Sequence, residues 1–295
     1  MKTVKPGTIP TAELHAYMLA SIAPRPICFA STVDENGNPN LSPFSFFNAF
    51  GSNPPLLVFS PARRVRDNTI KHTLENVLAT REVCINVVTY DMVQQVSLAS
   101  TEYERGVNEF EKAGFTPLPS QLIKPFRVKE SPVQIECKVN DIIETGTEGG
   151  AGNLVICEIV MMHIADTILD EKGKIDQLKL PLVARLGGDW YSKVTPESLF
   201  EVAKPLKNKG IGIDRLPEHI RHSTILTGNN LGQLGNVEKL PSPAEVDEIR
   251  KWEEIKEMKI RLAHDPENLQ IQLHARAKML LDEGNVADAW KILML

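Results

Sequence analysis

The sequence predicts a mainly β protein with helices: an antiparallel Greek-key barrel from about Pro26 to Ile164, peripheral helices, and a helical C-terminal extension. Three observations carry this expectation. Short runs rich in β-branched and aromatic residues recur between turn residues, as in Leu56-Leu57-Val58-Phe59-Ser60 and Val83-Cys84-Ile85-Asn86-Val87-Val88. The loops Asp34 to Pro39 and Gly146 to Gly152 carry residues that tolerate positive φ and suit hairpins. After Tyr191 the pattern changes to capped helical segments.

Taken in order, Thr11 is placed to cap a short helix holding Leu14, Met18 and Leu19. Pro26 to Ser60 reads as strands. Asp67 or Asn68 then caps a helix with Ile70, Leu74, Val77 and Leu78 on one face. Val83 to Val88 returns as a buried strand, Asp91 starts another helix, and Glu102 to Ala113 reads as a charged helix stopping at Gly114. Pro132 to Glu144 and Asn153 to Ala165 are longer strands. Val133 to Val139 alternates apolar and polar residues, so one face is expected to meet water.

Thr195-Pro196-Glu197 and Ser242-Pro243-Ala244-Glu245 each place a cap residue before a helix-starting proline. Asp265-Pro266 opens a helix, and Leu269 to Leu295 gives two helices broken at Glu283-Gly284-Asn285. Ala275, Leu280, Leu281, Gly284, Ala287 and Ala289 recur there as in one tetratricopeptide-like hairpin. One repeat cannot bury its own core, so a solenoid is not expected. The division is therefore 1–194 for the barrel, 195–240 for an extended arm with an irregular Gly210 to Gly235, and 241–295 for the helical extension. That extension is expected to pack on the barrel, on a second copy, or on a protein partner.

Composition excludes several function classes. A net charge of −5 argues against nucleic-acid binding, which needs a concentrated basic surface. Cys28, Cys84, Cys137 and Cys157 form no metal-ligand spacing and read as small buried apolar side chains; no metal is expected. No apolar run is long enough to span a bilayer, and a reducing cytoplasm is the expected location.

The stretch Pro39 to Phe50 packs aromatics, hydroxyls and an amide together, which suits a flat apolar ring with a polar rim. The segments SIAPRPICFAST (Ser21 to Thr32), NLSPFSFFNAF (Asn40 to Phe50), NPPLLVFS (Asn53 to Ser60), KHTLEN (Lys71 to Asn76), CINVV (Cys84 to Val88) and RLGGDWY (Arg185 to Tyr191) resemble, in order, the flavin-reductase-like, flavoredoxin family of FMN-binding split barrels. The resemblance covers well over half the chain. It implies FMN as cofactor, a homodimer with flavin sites near the subunit interface, and oxidation of NAD(P)H with electrons passed to a flavin or other small acceptor. It also implies that Arg25, Pro26, Ser42, Ser45, Phe46, Phe47, Asn48, Ser60, Lys71, Thr73 and Asn76 contact the cofactor.

Within that set Arg25, Lys71 and Thr73 form the phosphate group of residues. Phe44, Phe46 and Phe50 have core packing as the other reading. Relatives commonly open the helix with Lys-Asp-Thr, whereas this chain has Lys71-His72-Thr73. Arg63-Arg64-Val65-Arg66 is either a solvated basic turn or a contact to FMN phosphate or a nicotinamide dinucleotide. Arg185 and Tyr191 are substrate-side candidates, with a structural ion pair as the alternative for Arg185. No catalytic acid–base group is expected, because a flavin carries its own redox chemistry.

Gly149-Gly150-Ala151-Gly152-Asn153 stands where short flavin reductases carry Gly-Asp-His, so the histidine beside the nicotinamide is missing. His163 reads as a strand-face residue. Two alternatives therefore stand beside the enzyme: an FMN-binding electron carrier with little NAD(P)H turnover, and a non-catalytic FMN-binding interaction protein.

Overall fold

Period-two alternation places the first strand between two apolar layers. Cys28 and Ala30 of β1 (Cys28–Val33) enter one buried cluster, while Phe29 and the preceding Ile27 enter another on the opposite face. The structure, a computed structural model, describes residues 1–202, 204–205 and 209–295, and divides into two units, Met1–Phe200 and Glu201–Leu295.

The first unit continues with β2 (Pro39–Phe44), β3 (Phe47–Ser52), β4 (Pro55–Phe59) and β5 (Glu82–Val87). A short pair, β6 (Pro117–Leu118) with β7 (Arg127–Val128), precedes the long strands β8 (Val133–Glu144) and β9 (Asn153–Ile164). Among the described residues the main sheet has the order β2-β1-β5-β8-β9-β4-β3, and its pairs are antiparallel. This is the predicted fold class. The inner cluster takes Phe44, Phe59, Ile85, Ile135 and Val155, together with Leu74 and Val77 from α2 (His72–Thr80). The outer cluster takes Phe29, Leu41, Val96 of α3 (Val93–Leu98) and Phe110 of α4 (Glu109–Ala113). By contrast, α1 (Thr11–Ser21) buries none of its residues.

Several expectations are corrected. Pro10, not Thr11, precedes α1 as its cap residue, without a side-chain bond. The next helix starts at His72 because Asp67 is spent on a local turn, accepting from the backbone N–H (3.1 Å) and hydroxyl (2.6 Å) of Thr69. The charged helix shrinks to α4, where the Asn108 side chain accepts from Phe110 N–H and Gly114 closes the helix at φ +72°. The polar face of β8 is wet only in part: Lys138 is exposed, whereas Gln134 and Glu136 are buried. Glu136 accepts from the backbone N–H groups of Gln121 (2.8 Å) and Leu122 (2.7 Å), and His163 Nε2 lies 2.8 Å from the same carboxylate. The loop before β8 therefore covers the first half of that face.

The last strands of this unit, β10 (Val183–Arg185) and β11 (Tyr191–Lys193), form a hairpin. Arg25 and Arg185 exchange two backbone hydrogen bonds of 2.9 Å, which fastens that hairpin beside the start of β1. The cysteines lie in β1, β5, β8 and β9 as free, buried thiols, and burial pushes Cys84 and Cys157 up to about 12. Among the described residues there is no cluster suited to a metal ion and no helix long and apolar enough to cross a membrane.

The second unit contains α5 (Glu218–Arg221), α6 (Gly228–Gly235), α7 (Pro243–Ile249), α8 (Glu253–Arg261), α9 (Pro266–Asp282) and α10 (Val286–Leu293). Gly210 to Gly235 is thus not an irregular arm. Its Leu216, Ile220, Leu226 and Leu234 share a core with Ile249, Ile255, Leu281 and Trp290. Trp290 Nε1 donates to the Leu234 carbonyl at 3.1 Å. Of the tetratricopeptide-like positions, Leu280, Leu281 and Ala289 are buried and Ala287 is exposed. The part of the expected arm at 203 and 206–208 lies outside the described residues.

Burial alone would push the Glu136 carboxyl up, but its two amide donors and His163 outweigh that and hold it below the usual range. A depressed folded value contributes stability above the ordinary carboxyl pKa, and this is lost as pH falls through the folded value. Urea unfolding is expected to show that acid-side loss in the wild type and a flattened limb in Glu136→Gln. The variant is expected to lose about 1–3 kcal/mol at neutral pH, since a neutral amide replaces the charged acceptor.

Candidate functional site

Two recesses meet at Ser100 on the first unit. The larger, about 180 Å³, is lined by Ile27, Pro43, Phe44, Val96, Ser45, Ser97, Ser100, Arg185 and Tyr191. Its floor is apolar and its edge carries hydroxyls. The Arg185 guanidinium lies 4.5 Å from the Tyr191 ring centroid, across the β10–β11 pair. Among the described residues that guanidinium makes no hydrogen bond or ion pair. The smaller recess, about 30 Å³, includes Ser42, Arg64, Lys71, Thr73, Glu102 and Glu109 in its wall.

Lys71 is the cap residue of α2, yet among the described residues no side chain caps the free N–H groups of that helix. Its ammonium sits 5.5 Å from the Phe44 ring and, among the described residues, makes no hydrogen bond or ion pair. Burial and the neighbouring Arg64 push its pKa down. A half-buried cation beside an uncapped helix N-terminus is an anion-binding arrangement.

Arg25 sits elsewhere. It is buried, and four of its five N–H groups are already bonded. Nη1 donates to the carbonyls of Leu19 (2.5 Å) and Ile22 (2.6 Å), Nη2 to Leu186 (2.9 Å), and Nε to Ser45 Oγ (3.3 Å). Burial, with Arg185 nearby, pushes its pKa down. Arg25 thereby satisfies the C-terminal carbonyls of α1 rather than pointing at an external anion. The expected pairing of Arg25 with Lys71 around one phosphate is not what this geometry offers.

Thr73 and Asn76 are also engaged internally. The Thr73 hydroxyl donates to Asn40 Oδ1 (2.8 Å), and Asn76 Nδ2 donates to Thr32 Oγ1 (3.0 Å). Asn40 Nδ2 donates to Glu109 Oε1 (2.9 Å), and Leu41 N–H to Glu109 Oε2 (3.0 Å). Burial pushes the Glu109 carboxyl up, against those donors.

The other expected contacts scatter. Ser60 is buried, accepts from Asn153 N–H (3.1 Å) and donates its own N–H to Phe46. The Phe46 ring meets His15 edge-on at 6.1 Å, and Phe47 packs on the inner cluster. Asn48 and Pro26 are exposed. The recesses therefore gather Ser42, Ser45, Lys71, Thr73, Arg185 and Tyr191 from the expected set. Sequence reasoning missed Ser97, Ser100, Glu102 and Glu109. The available signal was a buried-type asparagine, Asn40, in a strand facing the acidic run.

Residues 20–183 match the model of the flavin reductase like domain. The chain belongs to this family. Its members bind flavin. An uncharacterised protein of Aquifex aeolicus is 36% identical over 189 residues, covering 64% of this chain and 94% of the relative. Among solved structures, nitrilotriacetate monooxygenase component B from Bacillus cereus aligns with a TM-score of 0.64 at 27% identity, over 68% of this chain and 98% of that one. A split-barrel-domain protein of Shewanella frigidimarina aligns at 0.58 and 27% identity, over 69% of this chain and 100% of that one. The family match ends before the helical second unit begins. The chemistry of the recesses fits a flavin: an apolar floor for a ring, hydroxyls for its rim, and an unpartnered cation for a phosphate.

Arg25→Ala leaves the carbonyls of Leu19, Ile22 and Leu186 without their donor. Chemical denaturation is expected to show a loss of about 2 kcal/mol or more. Arg25→Lys is expected to recover part of this, because an ammonium offers three donors without the planar fork.

Proposed function

We propose that this protein is an FMN-dependent oxidoreductase of the flavin reductase type, passing electrons from NAD(P)H to a flavin or another small acceptor. One observation supports it most: among the described residues Lys71 makes no hydrogen bond or ion pair, and it stands at an uncapped helix N-terminus beside an apolar, hydroxyl-edged cleft, in a chain of the flavin reductase like family. Bound FMN would supply the redox chemistry. Lys71, the N–H groups at the start of α2 and Ser42 would hold its phosphate. Phe44, Ser45, Ser97 and Ser100 would face the remainder, with Arg185 placed by Tyr191 at the far edge. Arg25 acts through position, holding Ser45 and the end of α1 in place. A reaction fed by NAD(P)H, in a chain whose thiols are free and buried, suits the cytoplasm.

A specific observation favours a second reading, an FMN electron carrier with little NAD(P)H turnover. The Gly149 to Asn153 hairpin lacks the histidine and is docked on the basic turn, with Gly149 against the Val65 carbonyl and Asn153 Nδ2 donating to Pro61 at 2.9 Å. Steady-state NADH and NADPH oxidation, with and without added FMN, distinguishes the two.

The purified protein is expected to show a flavin spectrum with FMN. Lys71→Ala is expected to weaken FMN by about tenfold or more, the loss of one charge-assisted contact, and riboflavin by less than about threefold. Equal losses for both flavins would remove Lys71 from the phosphate.

We also propose a homodimer. Residues Asn48 to Ser52 of the edge strand β3 are exposed, Phe50 at 67%, and an edge strand with an exposed aromatic favours cover. Light scattering is expected to return a dimer at micromolar concentration, and Phe50→Glu to shift it toward monomer.

A further inference from the structure

We infer that Glu102 is a built-in anion that occupies the cationic end of the cleft and weakens phosphate-bearing ligands relative to their dephosphorylated forms. The inference rests on the flavin reading and concerns which flavins the same site prefers.

Glu102 Oε1 accepts from Arg64 Nε at 2.9 Å, and Oε2 accepts from Arg66 Nη2 at 2.8 Å. One carboxylate thus bridges two guanidinium groups, as two oxygens of a phosphate would. The remaining Arg64 bonds go to Thr69 Oγ1 and the Ile70 carbonyl, which hold its guanidinium beside the recess that also contains Lys71, Thr73 and Ser42. That recess, about 30 Å³, carries Glu102 in its wall together with Lys71, so an anion that enters it meets the carboxylate. The larger neighbour, about 180 Å³, meets it at Ser100. Ser100 to Tyr103 form part of the wall that closes the smaller space.

Glu102 is free to leave. It lies outside helix and strand, its side chain is 43% exposed, and its hydrogen bonds are those to Arg64 and Arg66. An arriving phosphate must either displace this carboxylate from Arg64 and Arg66 or sit on Lys71 beside a like charge. Both routes weaken the phosphate ligand and leave riboflavin almost untouched.

The test is a titration of the full chain, wild type, Glu102→Gln and Glu102→Ala, with FMN and riboflavin at low and high salt. Both variants are expected to bind FMN about tenfold more tightly than wild type, with riboflavin unchanged within about twofold. The FMN gain should shrink at high salt. An unchanged or weaker FMN affinity in the variants would overturn the inference, showing that Glu102 merely orders the two arginines. A parallel gain for riboflavin would overturn it as well, since the cleft rather than the charge would then have changed. Flavin binding by the wild type upholds the flavin reading whatever the variants do. Failure of every form to bind either flavin would remove that reading and this inference together. Matching thermal unfolding of the three proteins confirms that the comparison is between folded forms.

Discussion

The arrangement of the cleft depends on one buried carboxylate. Glu109 is 5% exposed and holds both the side chain of Asn40 and the backbone N–H of Leu41, which fixes the middle of β2. Asn40 can then present its Oδ1 to Thr73, while Thr32 of β1 accepts from Asn76. Two hydrogen bonds thus join α2 to the β1–β2 pair inside a region with little water, where each unmet group would cost about 1–3 kcal/mol. The polar bonds fix the orientation of α2, and Leu74 and Val77 fix its depth in the inner cluster. Because the helix cannot rotate or withdraw, its uncapped N-terminus and Lys71 are held beside Phe44. The placement of Lys71 and of that N-terminus is therefore a property of the folded chain.

What the sequence showed and what it hid follow from interaction range. The strands were legible because alternation and β-branched runs are local, and the two layers around β1 need only that Cys28, Ala30 and Phe29, Ile27 point oppositely. Cap chemistry was legible where a single turn decides it, as at Ser242 with Glu245 or Asp265 with Asn268. Arg25 was not. Its acceptors are backbone carbonyls, one of them at Leu186, 161 positions away, and carbonyls leave no trace in composition. A motif arginine beside an anion-binding family signature is easily assigned to the anion when nothing local shows that its donors are spent. Gln134 and Glu136 misled in the same way. Their alternation with apolar neighbours is that of a half-wet strand, but the cover comes from a loop whose amides need acceptors.

Glycine misled for a different reason in the second unit. Gly210, Gly228, Gly232 and Gly235 lower local helix propensity and suggest an irregular arm. In the structure two of them mark close backbone approach. A Cβ on Gly210 would fall beside the Gly235 carbonyl, and the Gly212 N–H donates to that same carbonyl at 3.0 Å. Gly235 therefore ends α6 where another stretch of chain passes within hydrogen-bonding distance. With that contact made, Leu216, Ile220 and Leu234 reach the α9–α10 hairpin, and the hairpin obtains from its own preceding residues the cover it could not provide for itself. Buried apolar area outweighs a propensity deficit of about 1 kcal/mol per glycine.

The cations at the two ends of the cleft are held in place by different means, and the difference bears on specificity. The Arg185 guanidinium lies 4.5 Å from the Tyr191 ring centroid, so part of its conformational freedom is already lost before any ligand arrives. Lys71 is half-buried and its charged form is disfavoured by burial and by Arg64, so an anion placed there relieves a strain already present. A net charge of −5 gives the whole molecule no long-range pull on an anion, and any preference must arise within about a Debye length, roughly 10 Å, of these groups. In that range Glu102 is the carboxylate paired with Arg64 and Arg66. Among the described residues Lys71 and Arg185 make no hydrogen bond or ion pair through their charged groups, whereas Arg64 and Arg66 already share Glu102.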